Sequence, residues 1–173
     1  NLNSKTIRQL DDFFLQIGSE NCARIAVLPT TADRLSLGSA LMVASVSRLR
    51  HGTVCIVDLS ASYDLWGHSR TPVNSDPVKL ADEIFLVKPT LGDRASRSDA
   101  AAAAINTIAK RFDCIIILCP VPEHGVALSM QALDCVKTAI VIARRGRVTR
   151  DDAQRIFGLL SKDAQKHIGI IIA

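Results

Sequence analysis

No apolar stretch in this sequence approaches the roughly 20 residues that span a bilayer; the longest, such as Cys114 to Cys119 and Ala139 to Ala143, are far shorter. No segment is expected to cross a membrane. Aromatic side chains are scarce, with one Trp, one Tyr and five Phe, which withholds the stacking platforms of a single-strand nucleic-acid binder. A strong excess of one charge is missing too. The 21 Lys and Arg against 17 Asp and Glu leave a scattered +4, so nucleic acid is not the expected partner. CxxC, HxxxH and HExxH spacings are absent. The five cysteines, Cys22, Cys55, Cys114, Cys119 and Cys135, are therefore read as buried thiols of a reducing cytoplasm. His51, His68, His124 and His167 read as surface or loop histidines, and no metal site is expected. The chain opens on Asn rather than Met and shows no charged-then-apolar leader. It is read as a piece of a longer protein whose missing flank could hold a membrane anchor.

What is present is the composition of one globular domain spanning residues 1–173, with 48% apolar and 22% charged residues. Ile7, Leu10, Phe13, Phe14 and Ile17 share one face of a helix over 4–17 that stops at Gly18. A buried strand is expected over 24–28, then a polar loop and a second helix from an N-cap at Ser36 to about Arg50. The near-continuous apolar run at 53–58 predicts a strand covered on both faces, hence parallel pairing. Residues 59–80, rich in Ser, Pro, Asp and Asn, read as a long surface loop. Further strands are expected at 83–87, 114–118, 138–143 and 168–172. An Ala-rich helix over 100–110 is expected with Ser98 or Ser96 as its cap, and Thr149 with Asp152 forms a capping box before a last helix. Strands alternating with helices define an α/β, doubly wound, mostly parallel sheet with helices on both faces.

Two loops carry candidate chemistry. Cys119 ends a strand at the edge where such folds place ligands, and Glu123 and His124 follow in a Pro-flanked loop. A Cys-His pair is conceivable there, but a structural thiol is the preferred reading, and no catalytic residue is assigned. Arg144, Arg145, Arg147 and Arg150 cluster just past another strand, where guanidinium groups could grip phosphates or an acidic partner. Arg48, Arg50 and His51 close the second helix and are read as cations favoured by its dipole.

Several local phrases resemble the cytoplasmic domain of bacterial tyrosine kinases of polysaccharide chain-length regulators, a branch of the ParA/MinD-type P-loop ATPases. Arg111-Phe112-Asp113-Cys114-Ile115-Ile116-Ile117 with Cys119-Pro120 is similar to the stretch around the Walker B strand. Ala132-Leu133-Asp134, the run from Ala143 to Arg150, and Ile168-Gly169-Ile170-Ile171 follow in the family's order, and His51-Gly52 before Val54 to Asp58 resembles the approach to the Walker A′ aspartate. The resemblance implies a P-loop NTPase-like fold and, at its start, an oligomerisation helix in which Lys5 and Arg8 match the cations of an Glu-x-x-Arg-x-x-Arg motif whose acid is replaced by Leu2.

The phosphate chemistry of the family is not retained. A P-loop needs glycines for close backbone approach, a Lys on the β and γ oxygens, and a hydroxyl on Mg²⁺. Here the loop reads Pro29-Thr30-Thr31-Ala32-Asp33-Arg34-Leu35-Ser36-Leu37-Gly38-Ser39, with Leu37 at the Lys position. The second motif keeps only Asp58 and puts Ser60 and Ser62 where an acid and an Arg belong; at the third, the strand ends on Leu118 instead of an Asp. A vestigial nucleotide site is thus expected at Thr30, Thr31, Arg34, Ser36, Gly38, Ser39 and Asp58.

The expected function is a non-catalytic pseudo-kinase or pseudo-ATPase module of exopolysaccharide or capsule synthesis and export, at the cytoplasmic face of the bacterial inner membrane. It binds a protein partner, with Arg144, Arg145, Arg147, Arg150, Lys5 and Arg8 as interaction candidates, needs no cofactor, and is a monomer or small oligomer. Two alternatives stay open: a weakly active ATP- and Mg²⁺-dependent tyrosine kinase or ATPase that uses Arg34 in an unorthodox loop, and an atypical ParA/MinD-like localisation protein.

Overall fold

The computed structural model describes residues 4–31, 35–60, 76–89, 91, 97–161 and 165–172. In chain order the elements are α1 (Ser4–Ile17), α2 (Ser19–Cys22), β1 (Arg24–Pro29), α3 (Leu35–Arg48), β2 (Val54–Asp58), β3 (Val78–Ala81) and β4 (Ile84–Val87). They continue as α4 (Arg97–Ile108), β5 (Cys114–Leu118), α5 (Pro122–Asp134), β6 (Thr138–Ala143), α6 (Arg150–Leu160) and β7 (His167–Ile172).

The seven strands form one sheet in the order β3-β4-β2-β5-β1-β6-β7. Every neighbouring pair is parallel except β3 with β4. All residues of β2 and β5 are buried, which explains their uninterrupted apolar sequences: a parallel sheet covered by helices has no solvent face. Alternate residues serve two cores. Ile25, Val27, Ile56, Ile116 and Ile140 pack with Leu10 and Phe14 of α1 and Val43 of α3. Ala26, Cys55, Ile115, Ile117 and Val141 pack with Ile105 of α4, Leu128 of α5 and Ile156 of α6. Each large side chain so enclosed contributes about 1.5–3 kcal/mol relative to exposure.

Chain direction sets where a ligand could sit. From β1 the chain moves through α3 towards β2; from β5 it moves the opposite way through α5, on the other face, to β6. Right-handed crossovers require this change of face. The adjacent strands β1 and β5 therefore flank a topological switch point, and their carboxyl ends open the crevice in which doubly wound folds bind ligands.

Local signals behave as their chemistry demands. Gly18 adopts φ 85° and its N–H returns to Phe14 O at 3.2 Å, stopping α1. Thr149 and Asp152 form a reciprocal capping box at the start of α6.

Five expectations need correction. Ser36 lies inside α3, which begins at Leu35, so it is no N-cap. Ser98 lies inside α4, which begins at Arg97, and Ser96 is outside the described residues. The stretch read as loop over 59–80 ends in β3, an antiparallel edge strand with a register shift between Lys79 and Ala81. The helices α2 and α5 were not anticipated. Arg50 does more than face a helix dipole: its guanidinium donates to the Asp11 carboxylate and, at 3.1 Å, to Asp11 O, tying α1 to the end of α3.

Candidate functional site

Register aligns the carboxyl ends of four strands. Val27 of β1 pairs with Leu118 of β5, and Leu118 pairs with Asp58 of β2. Val57 pairs with Val87 of β4, so Lys88, the next residue, comes level with Asp58. The row across the sheet therefore reads Val27, Leu118, Asp58, Lys88. Two of its members are aliphatic and two are charged.

Thr30 leaves β1 with its N–H on Ile142 O at 3.0 Å and its side chain buried. Among the described residues its Oγ1 has no hydrogen-bond partner, and neither has Ser39 Oγ, which is fully enclosed one turn into α3. Unpaired buried hydroxyls cost free energy. Thr30 comes directly after β1, and Ser39 lies near the start of a 14-residue helix whose free N–H groups favour anions. Ser36 is buried as well, and Thr31 is half-buried. Gly38 has open space where a Cβ would stand, so no protein atom requires glycine there. Leu37, at the expected lysine position, is 7% exposed and belongs to the core beneath α3. Asp33 and Arg34 lie outside the described residues.

Asp58 is the acid that the resemblance implies at the end of β2. Its side chain is 2% exposed. Ser60 donates to Oδ1 from its N–H at 2.9 Å and from its hydroxyl, the self-capping that short loops after strands adopt. The Lys88 ammonium stands 3.8 Å from Oδ2, an ion pair beyond hydrogen-bonding reach. Burial nevertheless pushes the Asp58 carboxyl above its ordinary value, against the lowering effects of Ser60 and Lys88.

These residues do not fit a magnesium nucleotide. Mg²⁺ wants octahedral oxygen ligands, usually one or two carboxylates together with phosphates and waters. Among the described residues of this row there is one carboxylate, already engaged by a serine and a lysine; the adjacent strand end is a fully buried Leu118, and the expected lysine position holds a core leucine.

The loop after β5 was expected to hold a structural thiol. Cys119 is fully buried, with burial pushing its thiol up to about 12, which removes the thiolate a nucleophile needs. Ser129 of α5 donates to Pro120 O at 3.4 Å. A Cβ on Gly125 would overlap the Pro120 ring, so only glycine lets α5 pass so close to the end of β5. The side chains of Glu123 and His124 lie outside the described residues.

Among the interaction candidates, Arg145, Arg147 and Arg150 are exposed and Arg144 is half-buried. They follow β6, whose carboxyl end adjoins that of β1, so the cluster shares an edge with the candidate site. Lys5 and Arg8 are exposed on the first turns of α1; Leu2 lies outside the described residues. Lys88 escaped sequence reading. A cation directly after an apolar strand was its signal, but its relevance depends on β4 lying beside β2 in that register.

The fold is shared with solved bacterial tyrosine kinase domains and with ParA- and MinD-type ATPases. The chain is similar to the kinase domain of Escherichia coli tyrosine kinase ETK, with 14% identity over 96% of this chain and 73% of that one, at a TM-score of 0.71. It is similar to the VpsO kinase domain at 12% identity over 96% and 92% of the two chains, TM-score 0.70. A cobyrinic acid a,c-diamide synthase from Mycobacterium smegmatis, solved with ADP and magnesium, matches at 18% identity over 86% and 73%, TM-score 0.66. No family model matches the chain, and no curated protein matches it.

Proposed function

We propose that this domain is a non-catalytic relative of the polysaccharide tyrosine-kinase domains, acting as an interaction or regulatory module in exopolysaccharide or capsule synthesis and export. The observation that carries the reading is Leu37. A side chain packed into the core at the first turn of α3 cannot be exchanged for the phosphate-binding lysine of a working loop without rebuilding that turn. The lone, already engaged Asp58 supports the same reading, because phosphoryl transfer depends on charge stabilisation by several groups acting together. The exposed Arg145, Arg147 and Arg150 supply a contact for an acidic protein partner, and the site of action is the cytoplasmic face of the inner membrane.

Thermal unfolding with ATP or ADP and Mg²⁺ tests this reading. Ligand binding stabilises by RT ln(1 + [L]/Kd), so a nearly unchanged Tm is expected. A saturable rise of several degrees at about millimolar nucleotide, the effect of roughly a hundredfold excess over Kd, overturns it.

A second reading, residual nucleotide binding without efficient turnover, draws on the orphaned hydroxyls of Thr30, just after β1, and of Ser39, near the start of α3. Calorimetry separates the two: heat on titrating ADP that Ser39→Ala abolishes favours the second.

A further inference from the structure

The vestigial motifs do not account for the pairing of Asp58 with Lys88. Lys88 follows β4 directly, and the β2–β4 register carries it to Asp58 as a lateral neighbour on the adjacent strand. Its side chain is 34% exposed while that of Asp58 is 2% exposed. The two partners are thus unequal: the ammonium can reach water and the carboxylate cannot. A buried carboxylate requires a compensating cation, and among the described residues Lys88 stands beside it. On the other side of Asp58 stands Leu118, which offers neither charge nor ligand atoms.

We propose that Lys88 is the resident cation of this site, seated on Asp58 where a divalent metal would otherwise coordinate, and that it keeps the site closed to metal. The protein has exchanged a dissociable counter-ion for a covalently attached one. This deepens the non-catalytic reading and rests on it, because a domain that needed Mg²⁺-nucleotide could not hold a lysine in the metal's place.

The lysine explains why the loss of the other acids is tolerated. A divalent ion on Asp58 and Ser60 would take its remaining ligands from water and bind only weakly, so a tethered cation displaces it. An ammonium needs only one carboxylate, and it keeps part of its hydration through its exposed end. The pair also predicts an asymmetry. Removing Lys88 strands a buried charge, whereas Asp58→Asn keeps the Ser60 hydrogen bonds and lets the lysine turn to solvent.

The test uses Mn²⁺ without nucleotide, read by paramagnetic broadening of the amide signals of residues 57–60. Wild type should show no selective broadening at millimolar Mn²⁺; Lys88→Met should show it, Lys88→Arg should not, and Asp58→Asn/Lys88→Met should lose it. Selective broadening in wild type, or a folded Lys88→Met that remains blind to Mn²⁺, overturns the proposal. If Lys88→Met does not fold, the wild-type measurement still decides against the proposal when broadening appears. Lys88→Gln, which keeps a polar tip without the charge, then takes the place of Lys88→Met, with the same two outcomes. Failure here is distinct from failure of the non-catalytic reading, because nucleotide is absent throughout: a wild type that binds Mn²⁺ yet ignores ATP would remove the lysine's role and leave that reading standing. A Tm lowered by several degrees in Lys88→Met, against little change in Asp58→Asn, is the accompanying result; the reverse order overturns the proposal as well.

Discussion

The two ends of the sheet are built differently. At the amino end, polar groups tie the elements together. Arg50 holds Asp11, Asp113 accepts from both the N–H and the hydroxyl of Thr53 at 2.8 and 2.9 Å, Thr138 donates to Asn21 O at 2.6 Å, and Lys166 donates to Val136 O at 3.1 Å. At the carboxyl end, Thr30 and Ser39 keep buried hydroxyls without partners and Asp58 carries a charge against the cost of burial. The amino end is not free of such atoms, since Ser47 Oγ, Arg50 Nε and His51 Nε2 also lack partners among the described residues; what sets it apart is the number of polar ties that join its elements.

The largest effect that would sharpen this contrast comes from Arg50→Ala. Two charge-assisted bonds to Asp11 disappear, and because Asp11 is partly exposed the loss should be about 2 kcal/mol. Denaturant unfolding measures it; a change below about 0.5 kcal/mol would mean that the tie between α1 and α3 carries no weight. Smaller and opposite in sign is the response of the other end. Thr30→Val and Ser39→Ala remove hydroxyls that find no partner, and each should stabilise by up to about 1 kcal/mol. A clear destabilisation by either would show that the hydroxyl is satisfied in solution and would erase the distinction between the ends.

The smallest effect concerns His51. Burial holds its imidazole below the ordinary value, with Asp113 pulling upward and Arg50 downward. A depressed folded-state value means that the unfolded chain takes up the proton first. The contribution of His51 is therefore complete above about pH 6.5 and is lost as pH falls through the folded-state value. Stability of wild type between pH 7 and 5 should fall more steeply than that of His51→Gln; parallel profiles would show that this histidine is as solvated folded as unfolded.

How much of this was legible beforehand depended on whether the signal was local. The runs 114–118 and 138–143 are strands because both of their faces are covered, and an uninterrupted apolar sequence states that directly. Gly18 and the Thr149–Asp152 box announce helix ends through chemistry confined to a few neighbours. β3 was hidden because Val78, Lys79 and Ala81 are exposed on an edge and follow Pro77, so neither alternation nor apolarity marks it. α5 opens on Pro122 and departs from helical geometry at Gly125, which breaks its periodicity in sequence. In the site, Asp58 and Leu37 could be found by position within a motif. Lys88 and the orphaned hydroxyls depend on which strands become neighbours, and no short window of sequence contains that information.

The packing of α1 has a consequence for how the chain acquires its structure during synthesis. Phe13 lies against Gly169 of β7, where a Cβ would come within 3.2 Å of its ring, and Leu10 and Phe14 share a core with Ile171. Within these 173 residues, the first helix is thus completed by the last strand. Until β7 has been made, α1 lacks the part of its seat formed by Gly169 and Ile171, and the matching part of its apolar stripe stays uncovered. A product truncated before β7 would carry that uncovered stripe permanently, and with it a surface prone to the wrong contacts.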